Sequence, residues 1–134
     1  MARLVLSRVQ GYGSMLDLRI EKIGDLAVVE CHGKIVRSDD AFKLCEAVTA
    51  LPGIGIIVLD LSQVSAIEAG GLDMLLLLQR WAYDCDIQVK LFNPRISVRD
   101  RLKRGSSMPQ CDIATLQEVM ALMVKANTRS ALDA

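Results

Sequence analysis

The sequence predicts a single α/β domain, a mixed β-sheet with about four helices, in the order β-β-α-β-α-β-α-β-α. Three observations carry this. Leu16, Leu18 and Ile20 alternate with polar residues ahead of a Gly24-Asp25 turn, which marks a hairpin. The run "IGIIVLDL", Ile54 to Leu61, is continuously apolar, which marks a strand buried on both faces. Apolar residues at helical spacing separate the later strands, so those strands are expected to run parallel, with helices packed on the sheet.

Each element has a local cause. Ser38 offers an N-cap to "DDAFKLCEAVTAL", where Ala41, Leu44, Cys45, Val48 and Leu51 recur on one side, and Pro52-Gly53 ends that helix. A short loop is expected after Leu61, then a long helix from about Gly70 to Asp84. "IQVKLFN" reads as a strand. Asn93 is placed to cap the next helix, with Pro94 at its first position, Val98 and Leu102 inward and Gly105 at its end. A strand over Cys111–Ala114 leads to Thr115-x-x-Glu118, the pattern of a capping box. The helix it opens is expected to hold Leu116, Val119, Met120 and Met123 on one stripe. The domain is read as residues 15–127. Residues 1–14 are an extension, either an extra strand or disordered, and 128–134 are a tail.

Composition narrows the function. With 134 residues, 51% hydrophobic and 24% charged, the chain describes a compact globule that buries about two thirds of its unfolded surface. Lys plus Arg equals Asp plus Glu at 16 each, so net charge draws the protein to neither nucleic acid nor membrane. No apolar run reaches the ~20 residues of a bilayer span, so no direct membrane insertion is expected. Met1 to Met15, interrupted by Arg3, Arg8 and Gln10, makes a poor secretory signal, and the expected location is cytoplasmic. Cys31, Cys45, Cys85 and Cys111 form no C-x-x-C pair and His32 is the single histidine, so no metal site is expected. The cysteines read as reduced core residues.

Catalytic signatures are missing too. The chain has no phosphate loop, dinucleotide fingerprint or nucleophile elbow, and "GIG" at Gly53–Gly55 precedes a strand instead of a helix. His32 falls inside a strand without a nucleophile at usable spacing. Asp60 and Glu68 flank the expected loop and could approach each other, but carboxylates there more often bind turn amides. No catalytic residue, cofactor or enzymatic activity is therefore assigned.

The long helix is more informative. Asp73, Arg80 and Asp84 form a narrow polar stripe, while Leu72, Leu75, Leu76, Leu78, Ala82 and Tyr83 cover the opposite side. Met74 and Trp81 share a flank, and Leu77 lies beside the charges. Either neighbouring helices cover this wide apolar arc, or Met74, Leu77 and Trp81 form a protein-binding patch. On the next helix Arg95, Arg99, Arg101, Lys103 and Arg104 face one acid, Asp100. That is either a solvated face or a site of attraction to an acidic partner or phosphate.

"IIVLDLSQVSAIEAGGLDMLLLL" resembles the hallmark of the STAS domain family, named for sulfate transporters and anti-sigma factor antagonists. "GDLAVVECHGKI", "VKLFNPRISVRDRLKRGS" and "DIATLQEVMALM" are similar to the flanking parts of that domain. The resemblance implies a single-domain STAS-like fold and a cytoplasmic, bacterial regulatory module that binds a kinase-type anti-sigma factor. It also implies a switch by phosphorylation of a serine where the helix starts. Aligning Gly71-Leu72 with the family's Gly-Leu puts Glu68 on the usual Asp, Ala69 on that serine and Gly70 on the next residue. Ala69 has no hydroxyl, and of the nearby Ser62 and Ser65 only Ser65 is a substitute acceptor. Asp60, Ser62, Ser65, Glu68, Ala69, Gly70, Gly71 and Leu72 are thus the expected partner surface. Other readings are an accessory subunit docking on a membrane transporter's ATPase, a nucleotide-binding relative, and a homodimer formed through Trp81 and Met74.

Overall fold

A computed structural model describes residues 3–9, 16–35, 38–104 and 113–132. Six strands and four helices follow in the order β1 (Arg3–Val9), β2 (Leu16–Ile23), β3 (Leu26–Ile35), α1 (Ser38–Thr49), β4 (Ile56–Ile67), α2 (Ala69–Asp84), β5 (Gln88–Phe92), α3 (Ile96–Arg104), β6 (Ile113–Ala114) and α4 (Leu116–Leu132). The strands lie side by side in sequence order. β1, β2 and β3 pair antiparallel, and β3 to β6 pair parallel. The expected alternation from β2 onward is the one observed.

The β2–β3 hairpin closes at Ile23 opposite Leu26 with Gly24 at φ 59°, the left-handed geometry that the first position of a tight II′ turn demands. Because β3 to β6 advance across the sheet in one direction, right-handed crossovers put α1, α2 and α3 on the same face. Their buried residues Leu44, Val48, Leu75, Leu78, Val98 and Leu102 form one core with Leu18, Ile20, Val29, Cys31, Ile57, Leu59, Leu61 and Leu91. Among the described residues α4 alone covers the opposite face, with Val119 and Ala126 in one cluster with Ile23, Leu26, Val58 and Ala114.

One helix cannot cover a whole sheet face, and the strand sequences match that limit. Alternation carries Asp17, Arg19, Glu30, His32 and Asp60 onto the part of this face beyond α4's core. Arg19 stands opposite Glu30, which in turn neighbours Asp60. His32 Nε2 lies 3.6 Å from Glu30 Oε2. His32 is therefore an exposed strand residue.

Several local expectations change. α4 begins in the expected capping box: Glu118 N donates to Thr115 Oγ1 at 3.1 Å, and Thr115 N to Glu118 Oε1 at 3.4 Å. Of its expected inward stripe, however, Leu116 and Met120 are exposed and Val119 is buried. α4 also continues to Leu132, past residue 127, while β1 pairs with β2 within the N-terminal extension. Asn93 is no cap and Pro94 is not the first helical residue, because Asn93 sits at φ 51° and α3 starts at Ile96, with Arg99 N bonded to Arg95 O at 2.8 Å. Cys85 is exposed where a core residue was expected. Cys111, Gly105 and residues 10–14 lie outside the described residues.

Leu59 is fully buried between β3 and β5, so Leu59→Ala is expected to cost about 2–5 kcal/mol. Thr115→Ala removes one cap and is expected to cost about 1 kcal/mol. Urea unfolding followed by circular dichroism measures both.

Candidate functional site

The segment after Leu61 is not a loop. β4 runs on to Ile67, and Glu68 alone separates it from α2. Its register with β3 slips twice, between Glu30/His32 and between Gly33/Lys34, so two extra residues are absorbed on β4. Each slip is a β-bulge that shifts the inward phase by one residue. The buried residues are consequently Leu61, Val64 and Ile67, three apart instead of two. That spacing disguises the strand.

Side chains stabilise both irregular places. Asp60 Oδ1 accepts from Ser62 N at 3.0 Å and from Ser62 Oγ at 2.7 Å, holding the first bulge. Arg95 Nε donates to Ser62 O at 3.1 Å, on the side of β4 that β5 leaves after Asp60. Ser65, exposed, donates through Oγ to Gly33 O at 3.3 Å. Gly33 itself stands at φ 117°, a conformation that side-chain-bearing residues rarely adopt. Nothing in the sequence pattern singled out Gly33 or Arg95 for these roles.

Asp60 and Glu68 do not form a pair. Seven strand residues lie between them, so at ~3.3 Å per residue the two are up to about 26 Å apart along the strand. Glu68 is exposed at the N-cap of α2 with extended backbone, and its carboxylate makes no capping hydrogen bond. Its N–H donates instead to Ile35 O at 3.1 Å, and its carbonyl accepts from Leu72 N at 2.9 Å. The corner is thus fixed by backbone at both ends. Among the described residues no group of three His, Cys, Asp or Glu is arranged to hold a metal ion.

Gly71 sets how close the helix comes. It is buried in the first turn of α2, and a Cβ there would collide with the carbonyl oxygen of Ile35 and stand 2.7 Å from Ile35 Cγ2. Ala69 and Gly70 are the two helical residues before it. Beyond Gly71, Leu75, Leu78 and Ala82 are buried, and Leu72, Leu76 and Trp81 are half-buried against the core. Asp73, Leu77, Arg80 and Asp84 face solvent in one stripe. Leu77 is 57% exposed in the middle of those charges, and Tyr83, expected on the apolar side, is 83% exposed. The wide apolar arc is therefore mostly covered, with α1 packed alongside α2. Leu77 is left out. The side chain of Met74 lies outside the described residues.

No protein-family model matches the chain. No curated protein matches it either. Solved structures do. The anti-sigma factor antagonist SpoIIAA in its unphosphorylated form superposes with a TM-score of 0.62 at 16% identity, over 78% of this chain and 92% of that one. The Bacillus cell fate determinant SpoIIAA in its phosphorylated form gives 0.61 at 14% identity, over 78% and 96%. This is a STAS-like fold. The same fold occurs in a larger setting: murine solute carrier 26 family member A9, an anion transporter in the inward-facing state, gives 0.64 at 14% identity. That match covers 92% of this chain but 22% of the transporter. Among the described residues of the present STAS-like chain, no helix is long and apolar enough to cross a membrane.

Two outcomes follow from this geometry. Replacing Gly by Ala in an exposed helix stabilises by about 1 kcal/mol. Gly71→Ala is expected to do the opposite and cost about 1–3 kcal/mol, because Ile35 backbone must move to make room. Urea denaturation distinguishes the two signs. Burial, with Asp60 nearby, pushes the Cys31 thiol up to about 12, so it stays protonated and inert near neutral pH. With a thiol-specific reagent at pH 8, exposed Cys85 is expected to react in the folded protein and Cys31 only after unfolding.

Proposed function

We propose that this chain is a STAS-type regulatory module that binds another protein through the β4–α2 corner and the exposed side of α2, without performing chemistry itself. The observation that carries the reading is Leu77, a large apolar side chain held in solvent among charges while Leu72, Leu75, Leu76, Leu78 and Trp81 of the same helix are buried or half-buried. An apolar residue flanked on one exposed stripe by Asp73, Arg80 and Asp84 has the make-up of an interface centre with a polar rim. The resemblance to an anti-sigma factor antagonist supports a kinase-type anti-sigma factor as the partner, and a cytoplasmic bacterial setting for the exchange.

In this reading Ala69 stands where relatives of that type carry a phosphorylated serine. A phosphate there adds about −1.5 to −2 charges at a contact surface. Without the hydroxyl, binding at this corner is independent of phosphorylation at residue 69. Ser65, exposed on the second bulge, is the nearest alternative acceptor.

A second reading makes the protein an accessory subunit on a membrane transporter's ATPase. It is favoured by the occurrence of the same fold within murine solute carrier 26 family member A9. The same corner would then face a transporter component.

The test is quantitative binding of the purified chain to candidate anti-sigma kinases and transporter ATPases encoded near it. Wild type is expected to bind one of them, with Ala69→Glu and Leu77→Asp each weakening binding about tenfold or more, which corresponds to about 1.4 kcal/mol. Unchanged binding by both variants would remove the corner from the interface. Incubation with the bound kinase and ATP, followed by mass spectrometry, is expected to show no phosphate on the chain. A phosphorylated Ser65 would reinstate a switch.

A further inference from the structure

We infer that α3 is the electrostatic arm of this docking surface and binds an acidic face of a protein partner, with Ile96 as its apolar anchor. The inference rests on the docking role proposed for the β4–α2 corner and adds the chemistry of the partner.

Charge segregation comes first. The whole chain balances 16 basic residues against 16 acidic ones, yet positions 95–104 hold five basic residues and one acid. The remainder is therefore net acidic, and α3 is the cationic pole of a neutral molecule. Arg95, Arg99, Arg101 and Lys103 are all exposed. Among the described residues, no carboxylate lies within ion-pair distance of Arg99, Arg101 or Lys103. A helix face that served only solubility would ordinarily intersperse both signs.

The second observation is Ile96, 77% exposed at the start of α3. Val98 and Leu102 already supply the helix's contact with the core, so Ile96 has no packing role. Ile96, Arg99 and Lys103 fall at i, i+3 and i+7, which sets them along one stripe. An isolated apolar side chain beside two long cations fits a protein interface, where arginines are enriched around an apolar centre.

The third is position. Arg95 bonds to the Ser62 carbonyl, so the chain entering α3 is tied to the bulged half of β4 that leads into α2. One partner can therefore reach both elements.

A protein fits better than the other polyanions. Insertion at a membrane surface needs a broad apolar helix face, and α3 spends its own on the core, leaving one isoleucine. Binding a phosphate lattice depends on counterion release from many contacts, and a neutral protein with one nine-residue cationic helix offers few.

The experiment titrates the full chain with three probes: a helical peptide carrying glutamates and one leucine at matching i, i+3, i+7 spacing, vesicles containing phosphatidylserine, and a short DNA duplex. The peptide is expected to bind most tightly and to lose about tenfold in affinity between 50 and 300 mM salt, as exposed charges are screened. Arg99→Glu with Lys103→Glu is expected to abolish peptide binding and Ile96→Ser to weaken it, whereas Lys125→Glu, exposed on α4 at the other sheet face, leaves it unchanged. Circular dichroism checks that each variant is folded. Tighter binding to vesicles or DNA, or peptide binding indifferent to the charge reversal, overturns the inference. If the charge-reversed protein keeps full affinity for a partner that Ala69→Glu releases, α3 drops out while the corner remains an interface.

Discussion

The β4–α2 corner depends on one close approach. α2 can start immediately after β4 because Gly71 has no side chain and lets the helix settle onto the Ile35 carbonyl at the end of β3. That carbonyl is already committed to the Glu68 amide, so strand end, corner and helix start are locked in one hydrogen-bonded contact. A methyl group at residue 71 would push against backbone, which cannot rotate away as a side chain can. Where α2 points, and which of its residues remain outside, both follow from this.

The sheet explains why the polar and apolar surfaces lie where they do. Advancing strand order puts three helices on one face and leaves α4 alone on the other, so polar strand residues appear where α4's core ends. On the crowded face, α2 is flanked by α1 and turns the stripe of Asp73, Leu77, Arg80 and Asp84 to solvent, in which Leu77 is the apolar member. The two bulges in β4 serve the same end. They bend a long strand, re-aim Ser62 and Ser65, and bring the strand into Glu68 without a flexible loop. A surface built on regular elements loses less conformational freedom when a partner binds than one built on a loop.

How much of this was legible in the sequence depends on whether the periodic signal survived. The β2–β3 hairpin, the buried first half of β4, the long α2 and the Thr115–Glu118 box each had an undisturbed pattern and stand where they were expected. The second half of β4 did not, since three-residue spacing of Leu61, Val64 and Ile67 reads as neither strand nor helix. Gly71 is visible in the sequence as a motif residue, but its reason, contact with a carbonyl 36 positions earlier, is tertiary. For α4, a helical wheel marks apolar positions without saying which a neighbour covers, and Leu116 and Met120 turned outward. The same ambiguity hid Tyr83. Asn93 has the composition of a cap but not its place, because its left-handed backbone opens a three-residue turn before α3 begins.

The central physical claim is that the segment from Ser62 to Glu68 is paired strand ending in a rigid corner. Native-state amide hydrogen exchange followed by NMR tests it directly, because exchange from a paired segment requires that part of the structure to open. The Glu68 amide, bonded to Ile35 O, is predicted to exchange as slowly as amides in the core strands around Leu59. Exchange of Glu68 at the rate of an open loop, with β3 and the first half of β4 still protected, would contradict it.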